Sequence, residues 1–160
     1  MFGVKIRVER KEDGFGVLLR PFTKSEIGEI ADPMSSGFAN IYTGGLTGKT
    51  AEDEESWYDK VREDKFGYVW GIVPDGCSSP VGVTSINNLD NMVFGCSTGI
   101  IIYDVSWQGR GVGKLSHLGR TWFAADVLNR NCIHTHVISG NVRSQKALES
   151  VGYFITGTYP

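Results

Sequence analysis

A glycine-rich segment at residues 108–113 reads QGRGVG and follows the apolar run 100–103. After it, apolar side chains recur at helical spacing: Leu115, Leu118, Trp122 and Phe123. Glycine tolerates positive φ and allows a ligand to approach the backbone closely. The first amides of a helix point at an anion that lies before them. A strand, a glycine turn and a helix in this order therefore predict a binding site for an anion.

A second polar motif occurs near the end of the chain. Residues 141–153 read NVRSQKALESVGY and follow another strand-like run, 132–138. Three apolar residues of the motif share one face of a predicted helix: Ala147, Leu148 and Val151. Gly152 stands where a glycine cap would end that helix. The motif is therefore predicted to form a short helix directly after a strand.

Together the two segments resemble the GNAT family of N-acetyltransferases. The glycine turn of that family reads Q/R-x-x-G-x-G, matched here by Gln108, Gly111 and Gly113. Its later motif, N-x-x-S/A followed by L-E-x-x-G-F/Y, is matched by Asn141, Ser144, Leu148, Glu149, Gly152 and Tyr153. The residues of the two motifs are most similar to those of the ribosomal-protein N-terminal acetyltransferase branch, which also modifies small amines. The resemblance is close over residues 95–159 and only topological before them.

The resemblance implies acetyl-coenzyme A (acetyl-CoA) as the cosubstrate and no metal. The pyrophosphate would lie on the amides of the glycine turn, where Arg110 and Lys114 add positive charge. Asn141 would bond the pantetheine arm or an active-site water, and Arg143 would approach the nucleotide end. The strand at 101–103 would splay from its neighbour and offer unpaired backbone groups. The implied cofactor-binding residues are Ile101, Ile102, Tyr103, Gln108, Gly109, Arg110, Gly111, Val112, Gly113, Lys114, Asn141, Arg143 and Ser144.

The implied reaction is direct attack of a neutral primary amine on the thioester. The acceptor would be a peptide N-terminus or a small cationic amine, and a backbone N–H of residues 101–103 would polarise the thioester oxygen. His136 stands five residues before the motif asparagine, where the family often places a carboxylate that faces the acceptor. An imidazole there titrates near neutral pH. Asp104, just past the strand, is either a second candidate base or a turn residue.

Departure of the thiolate needs a proton or a hydrogen bond. Many relatives carry a tyrosine at the position of Leu148, and leucine cannot replace it. Ser144 is the favoured replacement, because the ribosomal-protein branch uses serine there. The missing tyrosine also leaves an alternative open, in which the chain is a catalytically inactive acyl-CoA-binding module with a regulatory or interaction role.

Two other patterns suggest different chemistry. Residues 44–50 are similar to a phosphate-binding P-loop, but Thr43 occupies the place of the first glycine. We therefore expect a loop between two helices there. Cys132, His134 and His136 alternate along a predicted strand and share a face, where zinc would find suitable ligand atoms. No fourth ligand is signalled, so packing is the expected role of Cys132 and His134.

An acidic run consists of Glu52, Asp53, Glu54 and Glu55. One interpretation is a solvated helix start, where acidic groups favour the positive end of the helix dipole. The other is that these carboxylates attract a cationic amine or a basic N-terminus. Trp57 and Tyr58 follow as predicted exposed aromatic residues and suit either interpretation.

The length and composition indicate one soluble domain, and the resemblance implies that it is a single N-acetyltransferase domain over residues 1–160. Sixteen basic and 18 acidic side chains give a net charge of −2, without the basic stripe of nucleic-acid-binding proteins. No apolar run is long enough for a signal peptide or a membrane span. Three cysteines without paired spacing are typical of reduced thiols, so we expect a cytoplasmic protein that binds neither nucleic acid nor membrane.

The predicted element order is β–β–α–α–β–β–β–α–β–α–β, an α+β fold with a mixed, mostly antiparallel twisted sheet flanked by helices. A hairpin is signalled at 13–14, and capping boxes begin helices at Thr23 and Thr50. The predicted strands are 4–9, 16–19, 68–73, 81–86, 93–104, 132–138 and one that starts at Tyr153. The GNAT family usually has one more strand, which is either missing here or supplied by a partner subunit. A homodimer would cover that edge of the sheet.

Overall fold

The computed structural model describes residues 1–35, 50–90 and 95–158. The strands are β1 (Ile6–Glu9), β2 (Gly16–Arg20), β3 (Tyr68–Pro74), β4 (Gly82–Asn87), β5 (Cys96–Ile102) and β6 (Ile133–His134). The helices are α1 (Lys24–Glu29), α2 (Ala31–Ser35), α3 (Ala51–Glu63), α4 (Val112–Trp122) and α5 (Val142–Glu149). A 3₁₀ turn, Val105–Trp107, precedes α4, and a π-helical turn, Phe123–Val127, follows it. The loop predicted at 44–49 and its P-loop similarity lie outside the described residues.

The six strands form one sheet in the order β1-β2-β3-β4-β5-β6. Each neighbouring pair from β1 to β5 is antiparallel, and β6 runs parallel to β5. The predicted α+β fold with a mixed, mostly antiparallel sheet is therefore confirmed. The β4–β5 ladder extends from the pair Gly82–Ile102 to the pair Asn87–Ser97. This long ladder holds β5 firmly along one edge, so its other edge is the one available to β6.

Apolar side chains alternate between the two faces of the sheet, as the pleat of a strand requires. On one face, α4 packs on a cluster that includes Leu19, Trp70 and Ile72. On the other face, α1 and α3 pack on a cluster that includes Val69 and Tyr103. The sheet is therefore the middle layer between two layers of helices. In the described residues, no helix combines the length and the apolar character that a membrane crossing needs.

The helices of the second face begin where the capping boxes predict. Thr23 N–H donates to Glu26, and Thr50 N–H donates to Asp53 at 2.9 Å. Glu26 also forms a two-pronged ion pair with Arg20, with N–O distances of 2.9 and 2.5 Å. The guanidinium holds the pKa of Glu26 below its usual range. This pair ties α1 to the end of β2, and α1 in turn packs against α3.

Three strand predictions need correction. The strand predicted at 132–138 is paired only over Ile133–His134, because the chain then diverges from β5. No strand starts at Tyr153, since residues 153–158 form no strand pairing among the described residues and leave Phe154 81% exposed. The strand predicted at 93–104 spans Cys96–Ile102, and its first two residues lie outside the described part of the chain. At 135–138 and 153–158 the hydrophobic pattern is present, but no neighbouring strand among the described residues pairs with it.

The buried face of α4 is more polar than its apolar pattern predicts. Leu118 and Trp122 are 39% and 51% exposed. The side chains that face the sheet include His117 and Arg120 instead. Gly119 allows α4 to pack closely on β1, because a Cβ at that position would lie 2.7 Å from a methyl carbon of Val8.

Candidate functional site

β5 and β6 separate after two residue pairs. Cys96 pairs with Ile133 and Ser97 with His134, and beyond them two threonine side chains bridge the strands. Thr135 Oγ1 donates to the carbonyl of Thr98 at 2.8 Å, while Thr98 Oγ1 donates to the carbonyl of His134 at 3.3 Å. These side-chain bonds replace the backbone ladder and hold the strands apart. The remainder of β5 therefore presents a backbone edge to an opening in the sheet.

A cleft of about 240 Å³ occupies this opening. Its lining comes from β4, β5, α4, the segment after β6 and the start of α5: Val83, Thr84, Ser85, Thr98, Gly99, Ile100, Ile101, His117, Thr135, His136, Val137, Ile138, Asn141, Ser144 and Leu148. Val83 and Ile101 pack toward the face of α1 and α3, whereas Ile100 packs toward the face of α4. The cleft is thus lined from both faces of the sheet.

The glycine turn ends at the N-terminus of α4. Gly109 and Gly111 have φ values of 76° and 87°, a conformation that favours glycine. Leu115 N–H donates to the carbonyl of Gly111 at 3.0 Å as the first bond of the helix. The amides of residues 112–114 therefore have no acceptor within the helix. They form a cradle in which the positive end of the helix dipole favours an anion.

Side chains connect this cradle to the cleft. Gln108 Nε2 donates to the carbonyl of Ile102 at 3.0 Å, and Gln108 Oε1 accepts from Arg143 Nη1 at 2.8 Å. One glutamine thus joins the turn, the end of β5 and the start of α5. The guanidinium of Arg110 lies 5.2 Å from the centre of the Trp107 ring, at the same turn.

Arg10 is a further basic residue at the cradle that the sequence did not reveal. A Cβ at Gly111 would lie 3.2 Å from Arg10 Nη1, so this guanidinium borders the turn. Arg10 comes from the β1–β2 hairpin, where Phe15 stacks on Trp107 at 6.4 Å between ring centres. No local motif surrounds Arg10, and only the docking of the hairpin against the turn brings it here.

The three predicted cofactor-binding residues at the end of β5 differ from one another in their surroundings. Ile101 lines the cleft, and the carbonyl of Ile102 is held by Gln108. The side chain of Tyr103 is buried in the other direction, where its hydroxyl donates to the carbonyl of Pro80 at 2.8 Å. Burial raises the pKa of this phenol well above its usual value. Any contact of Tyr103 with a ligand in the cleft would therefore involve its backbone.

Asp104 forms a cap rather than part of the cleft lining. Its Oδ1 accepts from Ser106 N–H at 3.0 Å and from Ser106 Oγ at 2.7 Å. Both bonds fix the 3₁₀ turn that follows β5. Of the two alternatives for Asp104, the position agrees with a turn residue.

Three residues of the second motif line the same cleft: Asn141, Ser144 and Leu148. Asn141 Oδ1 accepts from Ser144 N–H at 3.2 Å and thereby caps α5. This bond orients the amide of Asn141 and leaves its N–H₂ group as a donor. Leu148 is buried and also lines the cleft. Asn141, Ser144 and Leu148 therefore present one donor group, one hydroxyl and one apolar surface.

The rings of His134 and His136 lie 5.9 Å apart and are nearly perpendicular. Only His136 belongs to the cleft lining. Cys132 is exposed, one residue before the two-residue strand β6. In residues 1–35, 50–90 and 95–158, no group of three or more histidine, cysteine or carboxylate side chains has the geometry of a metal site.

The acidic run does not behave as one solvated group. Asp53 is part of the capping box with Thr50, and Glu54 is only 5% exposed, so the prediction of a wholly solvated run is wrong for Glu54. Glu52 and Glu55 are exposed. The prediction that Trp57 and Tyr58 are exposed is also wrong. Both are half-buried because they pack on the rings of the second face: Phe22 on Trp57 and Phe2 on Tyr58.

His117 and Arg120 form a buried polar pair at the α4 side of the cleft, which the sequence analysis did not identify. They are 2% and 0% exposed. Burial, followed by the charge of Arg120, lowers the pKa of His117 to about 3. This imidazole is therefore neutral at physiological pH. The pattern of α4 hid the pair, because both residues occupy positions where an apolar side chain is expected.

The comparison with known families decides the affiliation of this fold. The model of the acetyltransferase (GNAT) domain matches residues 17–153. The chain belongs to the GNAT family. GNAT proteins are acetyl-CoA-dependent acyltransferases, so this chain is one as well. No curated protein sequence matches the chain.

Solved structures of other GNAT proteins are similar in fold. A GNAT acetyltransferase from Bacillus anthracis has a TM-score of 0.79 at 16% identity, over 96% of this chain and 86% of the other. The spermidine N-acetyltransferase from Vibrio cholerae, in complex with CoA and spermine, has a TM-score of 0.77 at 17% identity, over 88% and 82%. A Vibrio cholerae protein assigned as a ribosomal-protein-serine acetyltransferase has a TM-score of 0.70 at 18% identity, over 92% and 82%. At these identities the structures establish the shared fold.

The low pKa of His117 predicts a pH dependence of stability in this GNAT domain. A histidine whose folded pKa is lowered stabilises the fold fully above its unfolded pKa of about 6.5, and this stabilisation is lost as the pH falls toward the folded value. As the pH falls from about 7.5 to about 5, protonation of His117 in the unfolded chain should lower the free energy of unfolding by about 2 kcal/mol. Urea unfolding across this range measures the slope.

The matched variant is His117→Gln, which keeps a polar side chain without a titrating group. It should flatten the slope over this pH range, whatever its effect on absolute stability. An equally steep slope in His117→Gln would show that another group binds the proton.

Proposed function

We propose that this GNAT protein transfers an acetyl group from acetyl-CoA to a primary amine by direct attack within the cleft between β5 and β6. One observation carries the proposal: Gln108 joins the anion cradle, the free end of β5 and the start of α5. An anionic group on the cradle and an arm in the cleft would thus belong to one continuous site.

The described residues fit acetyl-CoA at both ends of this site. The cradle at 111–114 offers backbone amides, and Arg110 and Arg143 lie at or near the same turn and would add positive charge for phosphates, whereas Arg10 is paired with Asp13. The cleft offers the unpaired edge of β5 and the donor group of Asn141 to a pantetheine arm. When bound, acetyl-CoA supplies the activated acyl group, and the protein supplies position and hydrogen bonds.

Two cleft residues are the proposed participants in proton transfer. His136 would accept a proton from the attacking amine, directly or through water, because it lines the cleft and imidazole is a common general base. Ser144 would donate a hydrogen bond to the departing thiolate, a role that Leu148 cannot fill. Asp104 is the weaker candidate, since its carboxylate caps the turn after β5.

The proposed acceptor is a cationic primary amine or a peptide N-terminus followed by basic residues. Glu52 and Glu55 on α3 are exposed. The aromatic side of α3 packs on the cluster that contains Val83 and Ile101, two residues of the cleft lining. The carboxylates would therefore lie on the approach opposite the basic cradle. Such an attraction is modest and decays over about 8 Å at physiological salt.

Other expectations from the sequence stay predictions. These are a single domain over residues 1–160, a cytoplasmic location and a homodimer that covers the edge of the sheet. Membership of the ribosomal-protein branch of the family also stays a prediction.

Replacing Gly111 with valine should abolish or strongly weaken CoA binding. A β-branched residue is strained at φ 87° and fills the space before the helix amides, where a phosphate would approach. Isothermal titration calorimetry with CoA measures the effect. The matched control is Gly76→Val, because Gly76 also has positive φ, at 85°, but lies in the β3–β4 turn with no atom near its Cβ position. Equal CoA affinity in folded Gly111→Val would place the cofactor elsewhere.

The proton-transfer role of His136 predicts a change in the pH profile. In the parent, the logarithm of kcat/KM should rise with pH and then level off at the pKa of the essential base. His136→Ala should lower the rate by about 10²-fold and remove this bend. His134→Ala is the control, since its ring adjoins His136 but does not line the cleft. If both variants keep the parental profile, the base is a water chain or another residue.

Removing charge from α3 should weaken acceptor binding alone. In Glu52→Gln/Glu55→Gln, the KM for spermidine or a basic peptide should rise several-fold at low salt, while kcat and the KM for acetyl-CoA stay constant. The control, Asp126→Asn/Glu149→Gln, makes the same change in net charge at exposed sites outside α3. An unchanged acceptor KM at low salt would mean that the carboxylates serve only the helix start.

A further inference from the structure

The polar pair on the α4 side of the cleft is arranged as a fixed hydrogen-bond donor. Arg120 Nη1 donates to Thr84 Oγ1 at 2.9 Å and to the carbonyl of Gly99 at 2.7 Å. Arg120 Nη2 lies 2.8 Å from His117 Nδ1. Among the described residues, no carboxylate forms an ion pair with this guanidinium. The positive charge is therefore held by neutral oxygens and by the imidazole.

The contact between the two residues determines the tautomer of His117. A guanidinium has five N–H donors and no acceptor, so His117 Nδ1 must accept this hydrogen bond. The single proton of the neutral ring is consequently on Nε2. The pKa of about 3 agrees with a ring that stays neutral. His117 thus carries a permanent Nε2–H donor whose position is set by Arg120.

The donor belongs to a side chain that lines the cleft. His117 is only 2% exposed, and its side chain is part of the cleft lining. Within the described part of the chain, Nδ1 is the ring nitrogen that has a hydrogen-bond partner. Among the described residues, the fully buried side-chain nitrogens without a partner include Arg120 Nε but not His117 Nε2, so Nε2 of His117 is not an orphaned buried donor. A ligand in the cleft that offers an acceptor can therefore bond Nε2–H.

The charge of Arg120 restricts which ligand can approach. A protonated amine would be repelled by the adjacent guanidinium, whereas a carbonyl oxygen would be attracted by both the N–H and the charge. The acyl-pantetheine arm carries such oxygens in its two amides and in its thioester. The location of that arm in this cleft rests on the function proposed above.

We infer that His117 Nε2–H donates a hydrogen bond to a carbonyl oxygen of the bound acyl-pantetheine arm, and that Arg120 is the positioning residue that fixes the donor tautomer. His117 is then a binding residue of the same cleft that Asn141 lines. A contact with a pantetheine amide stabilises binding of the arm, and a contact with the thioester oxygen also activates the acyl group.

The first test uses the parent protein and nitrogen-15 NMR of its three histidines. His117 should show a pyrrole-type Nε2 and a pyridine-type Nδ1 throughout the physiological pH range, and its Hε2 signal should shift on addition of CoA or acetyl-CoA. His134→Ala and His136→Ala assign the signals. The opposite tautomer, or an Hε2 signal that neither compound moves, would overturn the inference.

The second test separates the two carbonyl sources. If the contact is with an amide, His117→Leu should weaken both CoA and acetyl-CoA by about fivefold in calorimetry, and His117→Gln should restore most of the affinity through its N–H₂ group. If the contact is with the thioester, CoA affinity should stay constant in His117→Leu. The infrared stretch of a ¹³C-labelled thioester should then rise in frequency, and kcat should fall by about 10²-fold.

Unchanged affinities together with an unchanged stretch in a folded His117→Leu would contradict the inference. The proposed function has its own separate readout. If the parent protein binds neither CoA nor acetyl-CoA, the proposed function fails together with this inference. If the parent binds both and only the His117 results are negative, the inference alone fails.

Discussion

The site depends on the separation of β5 from β6. Two residue pairs join these strands, and the side chains of Thr98 and Thr135 then take over the hydrogen bonds that a continued ladder would need. β5 stays in place because its other edge is fully paired with β4. The separation therefore creates a cleft, and the edge of β5 beyond the two pairs faces this cleft rather than a strand.

Charges are distributed unequally around this cleft. Backbone amides of α4 meet Arg110 and Arg143 at one end, while exposed carboxylates of α3 lie on the other face of the sheet. The buried guanidinium of Arg120 adds positive potential from the α4 side. Such an arrangement suits an anionic cofactor in the cradle and a neutral or cationic amine that arrives from the opposite face. Burial matters here, because a charge in a low-dielectric surrounding acts more strongly than one in water.

Packing far from the cleft sets the orientation of its parts. Gly119 brings α4 close to β1, and the stacking of Phe15 on Trp107 brings the first hairpin to the glycine turn. Gln108 and the cap of Asn141 then fix the turn and α5 relative to β5. These contacts join residues from both ends of the chain. The geometry of the cleft is therefore a property of the whole fold, although its motifs are local.

The local features were determined by the sequence alone: the glycine turn with positive φ, the two capping boxes and the alternation of apolar side chains along the strands. Each depends on residues within one turn of one another or on a simple alternation of apolar side chains. Only the tertiary structure decided that β6 is two residues long, that Arg10 borders the turn and that Glu54 and Arg120 are buried. These outcomes depend on which segments meet across the fold, and no local pattern records that.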